Sequence, residues 1–253
     1  MRRGGRLRPL TWLVALLFAA MLVVAFGNDT LRFLESGIPS VSHGTPADGS
    51  LEHGKRLPTA GHNFHAYSRL GALLGRNSVH SAVRATVLDA YAAMAAREPD
   101  VRWVYGETGW PHGGRFRPHQ THENGLSVDF MVPVRNAAAQ SVPLPTWPWD
   151  TFGYGLTFDS SGHGTGPARG LRIDFPAIAT HLRALADAAP RHGLALDVVI
   201  FAPELERRLL ASAGGAQLDG RVRFTRLRPW VRHDEHYHVN FRVVAPPAAQ
   251  RRH

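Results

Sequence analysis

The chain has 253 residues, enough for one sizeable domain or two small ones, with 44% hydrophobic and 19% charged residues. It has 15 histidines and no cysteine, which excludes disulfides and thiolate metal sites and leaves His, Asp and Glu as the available ligands. The net charge of +9 includes Arg2, Arg3, Arg6 and Arg8; the rest is dispersed, with no dense basic run or base-reading module, so no nucleic-acid partner is expected.

From Leu10 to Phe26 the sequence is almost wholly apolar and carries no charge. Behind four arginines, this is the layout of a signal peptide or signal anchor over residues 1–27, with everything after it outside the cytoplasm. Residues 28–62 are rich in Gly, Ser, Pro and His and lack periodicity, so an extended arm is expected there. Apolar spacing predicts a helix over Ser78–Arg97, stopped at Glu98-Pro99. Strands are expected at Val101–Tyr105 and Leu126–Val134, with a loop between them from Gly106 to Pro118. Pro143–Asp150 is too proline-rich for regular structure, Phe152–Phe158 suggests a short strand, and Asp159–Gly170 reads as a mobile loop. A helix over Phe175–Arg191, a strand over Leu194–Phe201, a short helix over Pro203–Ala211 and a last strand over His236–Val244 complete the pattern. A domain over residues 63–245 with a disordered tail at 246–253 follows. Strands and helices mix without a βαβ rhythm, which predicts an α+β fold with a central antiparallel sheet and flanking helices.

Two clusters carry chemistry: PHQTHENGLSVD (Pro118–Asp129) and WVRHDEHYHV (Trp230–Val239). On a strand, His236, His238, Asn240 and Arg242 share one face, while Tyr237, Val239, Phe241 and Val243 supply the apolar face. Two adjacent imidazoles, with His233 just upstream, suit a metal ligand beside a proton-transfer group. In the first cluster, Asn124-Gly125 breaks the strand, so His122 can fold back from a loop toward Asp129. Asp129 sits on an otherwise apolar strand, a costly place for a carboxylate unless it is paired or metal-bound. Two His and one Asp make a three-ligand set with a position left for water.

The pattern H-x6-D followed much later by H-x-H resembles the zinc peptidases grouped with lysostaphin and the D-alanyl-D-alanine metallopeptidases. Within that group it is most similar to the penicillin-insensitive murein endopeptidases, down to the His three before the first ligand and the three histidines of RHDEHYHV. Gly44–Pro58 is a weaker echo of the family's N-terminal arm, and the resemblance spans roughly Ser40 to Val243. It implies a LAS/hedgehog-like metallopeptidase core, zinc (Zn2+) on His122, Asp129 and His238, and peptidoglycan peptide stems as substrate. His236 is then the first choice for general base or oxyanion stabiliser and His233 the next. His119 and Glu235 are supporting candidates, and His163 a possible flap residue. The implied activity is hydrolysis of peptide cross-links (a murein endopeptidase) in the periplasm or cell envelope; a D-Ala-D-Ala carboxypeptidase and a non-catalytic, membrane-tethered wall-binding protein are the rivals. The sequence departs from the family in lacking its cysteines and in placing Glu235 where an aromatic is usual.

Overall fold

The computed structural model describes residues 7–226 and 231–244; the expected tail at 246–253, the first arginines and Trp230 lie outside that description. Helix α1 (Leu7–Phe33) leads into a hairpin of β1 (Val41–Thr45) and β2 (Asp48–Glu52). Then come β3 (Lys55–Arg56), β4 (Phe64–Ala66), α2 (Arg69–Leu73), β5 (Ser78–Val79) and α3 (Ser81–Arg97). The middle of the chain holds β6 (Trp103–Tyr105), β7 (Ser127–Met131), β8 (Val134–Arg135) and β9 (Ser141–Val142). Short strands β10 (Thr157–Phe158), β11 (Gly164–Thr165) and β12 (Arg172–Ile173) precede α4 (Phe175–Ala188), β13 (Leu194–Ile200), α5 (Pro203–Ala211) and β14 (His236–Val243).

The main sheet runs β13-β14-β7-β6-β4. It is mixed and not purely antiparallel as expected, because the edge strand β4 pairs parallel to β6. The alternation of β7 and β14 separates two faces. Val128, Phe130, Tyr237, Val239 and Phe241 join the buried core, whose helical members include Val83, Val87, Tyr91 and Met94 of α3 and Ile178, Leu182 and Leu185 of α4. The other face carries Ser127, Asp129, His236, His238 and Asn240, all buried. Asp174 caps α4 by accepting from the Ala177 amide at 3.3 Å, and left-handed Gly193 turns the chain into β13.

Three other expectations are corrected. Residues 28–62 are not an extended arm: α1 continues to Phe33, Asn28 is buried against the domain, and the β1–β2 hairpin pairs two five-residue strands. The stretch Asp159–Gly170, expected as a loop, contains β11, which pairs with β10 in a hairpin and is followed by a 3-10 turn, Gly166–Ala168. Of the strand expected over Phe152–Phe158 only Thr157–Phe158 forms, because a 3-10 segment, Pro148–Gly153, occupies its start.

His181 of α4 sits in this core, stacked on Tyr91 at 5.3 Å and edge-on to Phe130, with the Tyr237 hydroxyl donating to its Nδ1. Burial pushes its pKa down to about 3, so the folded chain keeps this imidazole neutral. The unfolded imidazole titrates near about 6.5 and gains its proton first, so stability falls as pH drops from there toward 3. In urea titrations at a series of pH values, His181→Leu should flatten that acid slope while costing about 1–3 kcal/mol at pH 7.5, from the orphaned Tyr237 hydroxyl.

Candidate metal centre

The site is assembled by strand register. In the antiparallel β7–β14 pair, His238 lies opposite Asp129, and Asn240 opposite Ser127. His122 arrives from the preceding loop with a left-handed backbone (φ 77°), a conformation that costs a non-glycine residue free energy and clusters at functional sites. Gly125, also left-handed, lets the loop rejoin the sheet where a Cβ would strike Leu51 at 2.6 Å. Gly106, at the end of β6, leaves room for a hydroxyl: a Cβ there would meet Tyr154 Oη at 2.5 Å and Asp129 Cβ at 3.0 Å.

Asp129 is fully buried. Its Oδ1 is 2.8 Å from His238 Nδ1 and 3.3 Å from His122 Nε2. Its Oδ2 accepts from the Tyr154 hydroxyl at 2.9 Å and lies 3.8 Å from both His119 Nδ1 and His236 Nε2. Burial alone would raise its pKa, but the charges and hydrogen bonds of His122, His236 and His238 reverse that and hold it well below the usual carboxylate range.

Protons are too few for these contacts. Burial lowers the His122 pKa to about 4, so the ring is neutral near pH 7 and owns one N–H. That N–H is donated by Nδ1 to the Thr108 carbonyl at 3.1 Å, since a carbonyl can only accept. Nε2 is then a bare lone pair, buried, without a hydrogen-bond partner and facing a carboxylate oxygen. His238 is placed in a similar way, with Nε2 2.8 Å from Asn240 Oδ1 and Nδ1 2.8 Å from Asp129 Oδ1. Asn240 is held in turn by the Ser127 hydroxyl at 2.6 Å. His119 is a third case, with Nε2 on Glu107 Oε2 at 2.6 Å and Nδ1 toward Asp129.

The His122 lone pair, aimed at an anion, is repelled unless a cation lies between them. Histidines whose second nitrogen is tied to a carbonyl, amide or carboxylate have the outer-shell pattern of metal sites. The ligand atoms of His119, His122 and Asp129 all lie within 4.8 Å of one another, and can hold a metal ion. His238 faces His122 edge-on with ring centroids 4.6 Å apart. His119, expected as a supporting residue, therefore stands with the ligand candidates.

His236 and His233 flank this group, with centroids 4.6 Å apart. His236 Nδ1 pairs with Glu235 Oε1 at 2.8 Å. Burial works against its charge, but Asp129 and Glu235 prevail and raise its pKa to about 9. Glu235 is itself raised by burial. His233 donates from Nδ1 to the Val231 carbonyl at 3.0 Å, and burial next to His236 lowers its pKa to about 4. His163 stays apart: it is exposed on the β10–β11 hairpin, 4.0 Å from Asp159, and among the described residues no contact joins it to the cluster.

Sequence reasoning missed Glu107, Tyr154, Thr108 and the roles of Asn240 and Ser127. Glu107 is a hub, receiving bonds from Arg76, Tyr67 and His119; these overcome its burial and bring its pKa down to about 2. Only the alternation that put Ser127 and Asn240 on the ligand face was legible beforehand. A groove of about 410 Å³ opens over the centre, lined by Tyr67, Leu70, Leu74, Phe152, Tyr154 and His236 among others. Of the tryptophans, Trp103 is core, and Trp147 stacks on Trp149 in the open at 5.2 Å.

No protein-family model matches the chain, and no curated protein matches it.

The arrangement predicts that Asn240→Ala, which frees the His238 ring, lowers divalent-metal affinity about 10–100-fold. Competition against a chromophoric chelator measures this; affinity unchanged in the variant would mean that His238 is not a ligand.

Proposed function

We propose that the chain is a zinc-dependent peptidase that cleaves peptide cross-links in bacterial peptidoglycan outside the cytoplasmic membrane, on a core like that of the lysostaphin group. The observation that carries this reading is the convergence of imidazole nitrogens from His119, His122 and His238 on the buried Asp129 carboxylate, with His122 Nε2 left without a hydrogen-bond partner. An all-nitrogen-and-oxygen donor set beside a groove suits a catalytic zinc, and the cysteine-free chain cannot build the thiolate sites usual for structural zinc. Zinc, when bound there, polarises a peptide carbonyl and brings the pKa of water to about 7.

The remaining roles belong to the protein. His233, its Nδ1–H spent on Val231, keeps Nε2 as a lone pair suited to accept a proton from the attacking water. His236, paired with Glu235 through Nδ1, turns Nε2 toward the Asp129 carboxylate and is placed to donate to the carbonyl oxygen or the departing amine. Glu107 and Asn240 orient His119 and His238, and Tyr154 fixes Asp129 Oδ2. The groove's apolar walls exclude water and take the substrate chain.

Digestion of purified muropeptides tests the activity. Cross-linked dimers should fall to monomers with about one zinc per chain, and Asp129→Ala should lose both metal and activity. His236→Ala should keep its zinc while kcat drops about 10²–10⁴-fold. Release of free D-alanine alone would replace the endopeptidase reading with the carboxypeptidase one. A chain that never retains zinc and turns over neither substrate would leave only the wall-binding reading.

A further inference from the structure

The apolar helix does not end where the domain begins. Leu10–Phe33 is long and apolar enough to cross a membrane, and its most apolar stretch is unburied. Its last turns, however, are part of the fold. Asn28 is buried; its Nδ2 donates to the Leu57 carbonyl and Thr59 Oγ1, each at 3.0 Å, and its Oδ1 accepts from Asn77 at 3.0 Å and Arg56 at 3.3 Å. Asp29 accepts from the Thr59 amide at 3.2 Å, and Glu35 just beyond the helix binds Arg84 at 2.6 Å. Gly27 lets α2 touch α1: a Cβ there would sit 2.6 Å from Leu73 Cδ1. Arg69 Nη1 reaches the Ala25 carbonyl at 2.9 Å.

These contacts occupy the segment in which a leader peptidase would have to cut. In the folded chain Ala25, Gly27 and Asn28 are helical and docked, so a cut there would remove the contacts that Ala25 and Gly27 make with α2. They also fix a distance. From Leu10 to Gly27 the helix rises about 27 Å, against a hydrocarbon thickness of about 30 Å. The bilayer surface therefore falls where α2 meets α1. At that level Leu70 on α2 and Leu74 at its C-cap are exposed by 46% and 59%. Arg69 beside them is a cation at headgroup depth.

We propose that α1 is a retained anchor joined rigidly to the domain, and that Leu70 and Leu74 of α2 rest in the lipid interface. Leu70 and Leu74 also line the groove over the metal centre, while Leu73 faces α1, so one short helix is the wall between lipid anchor and groove. The groove mouth is thereby held within about one helix diameter, roughly 10 Å, of the bilayer. This points the proposed peptidase at wall material next to the membrane; that consequence rests on the peptidase reading, whereas the seat itself does not.

The absence of native cysteine makes the test direct. The full-length Leu74→Cys chain, labelled with an environment-sensitive NBD dye, is reconstituted into phosphatidylethanolamine–phosphatidylglycerol vesicles containing doxyl-labelled lipid. Leu70→Cys serves as a second position, and Leu210→Cys on α5 as an exposed apolar control. NBD at 74 and 70 should be quenched at least about twofold more than at 210, with an intact N-terminus by mass in membrane extracts. Equal quenching at all three positions, or recovery of a chain beginning near Asn28, would overturn the seat. Neither readout depends on catalysis, so failure here is distinguishable from failure of the peptidase assignment.

Discussion

The site depends on one pairing: β7 against β14, in the register that sets His238 opposite Asp129. Side chains alternate along a strand, so this register does two jobs at once. It sends Val128, Phe130, Tyr237 and Val239 into the core under α3 and α4, and it stacks Asp129, His238, Ser127 and Asn240 on the opposite face. A slip by one residue would bury the ligands among aromatics and expose the core face. The free energy of the core therefore holds the geometry of the centre, and the centre need not be stable on its own account.

A metal centre of this kind is legible from protons as well as from distances. His119, His122 and His238 each have one nitrogen tied to an oxygen of the protein and the other turned toward Asp129. Deep burial denies His122 the second proton that would turn its contact into an ion pair. Left to itself the His122 lone pair is repelled by Asp129, and a divalent cation held between them would turn that repulsion into coordination. The positive backbone φ of His122 fits this account, since local strain persists where surrounding structure imposes it for a purpose.

Much of this was visible in the sequence, for a physical reason. Alternation in HYHVNF and LSVDF separated the core face from the ligand face, though Val243 at the strand end is exposed and Met131 joins the core, and a carboxylate in an apolar strand signalled a partner before any partner was seen. What the sequence could not show was long-range closure. Glu107 and Tyr154 sit in segments with no periodicity, and reach the site only because Gly106 lets the chain pass close to Asp129. The parallel pairing of β4 leaves no local mark, because a three-residue edge strand reads the same in either direction. Asn28 looked like the start of a linker, since a buried polar hub and a solvated asparagine have the same sequence. His163, drawn from a glycine-rich loop on composition alone, had no pattern behind it and lies outside the cluster.

Anomalous diffraction at the zinc absorption edge, on crystals of metal-loaded protein, tests the central claim most directly. The account predicts one peak about 2.0–2.1 Å from His122 Nε2, an Asp129 oxygen and Nδ1 of His238, His119 or both. A centre free of anomalous signal, with His122 and His238 instead sharing protons with Asp129 or with water, would contradict it.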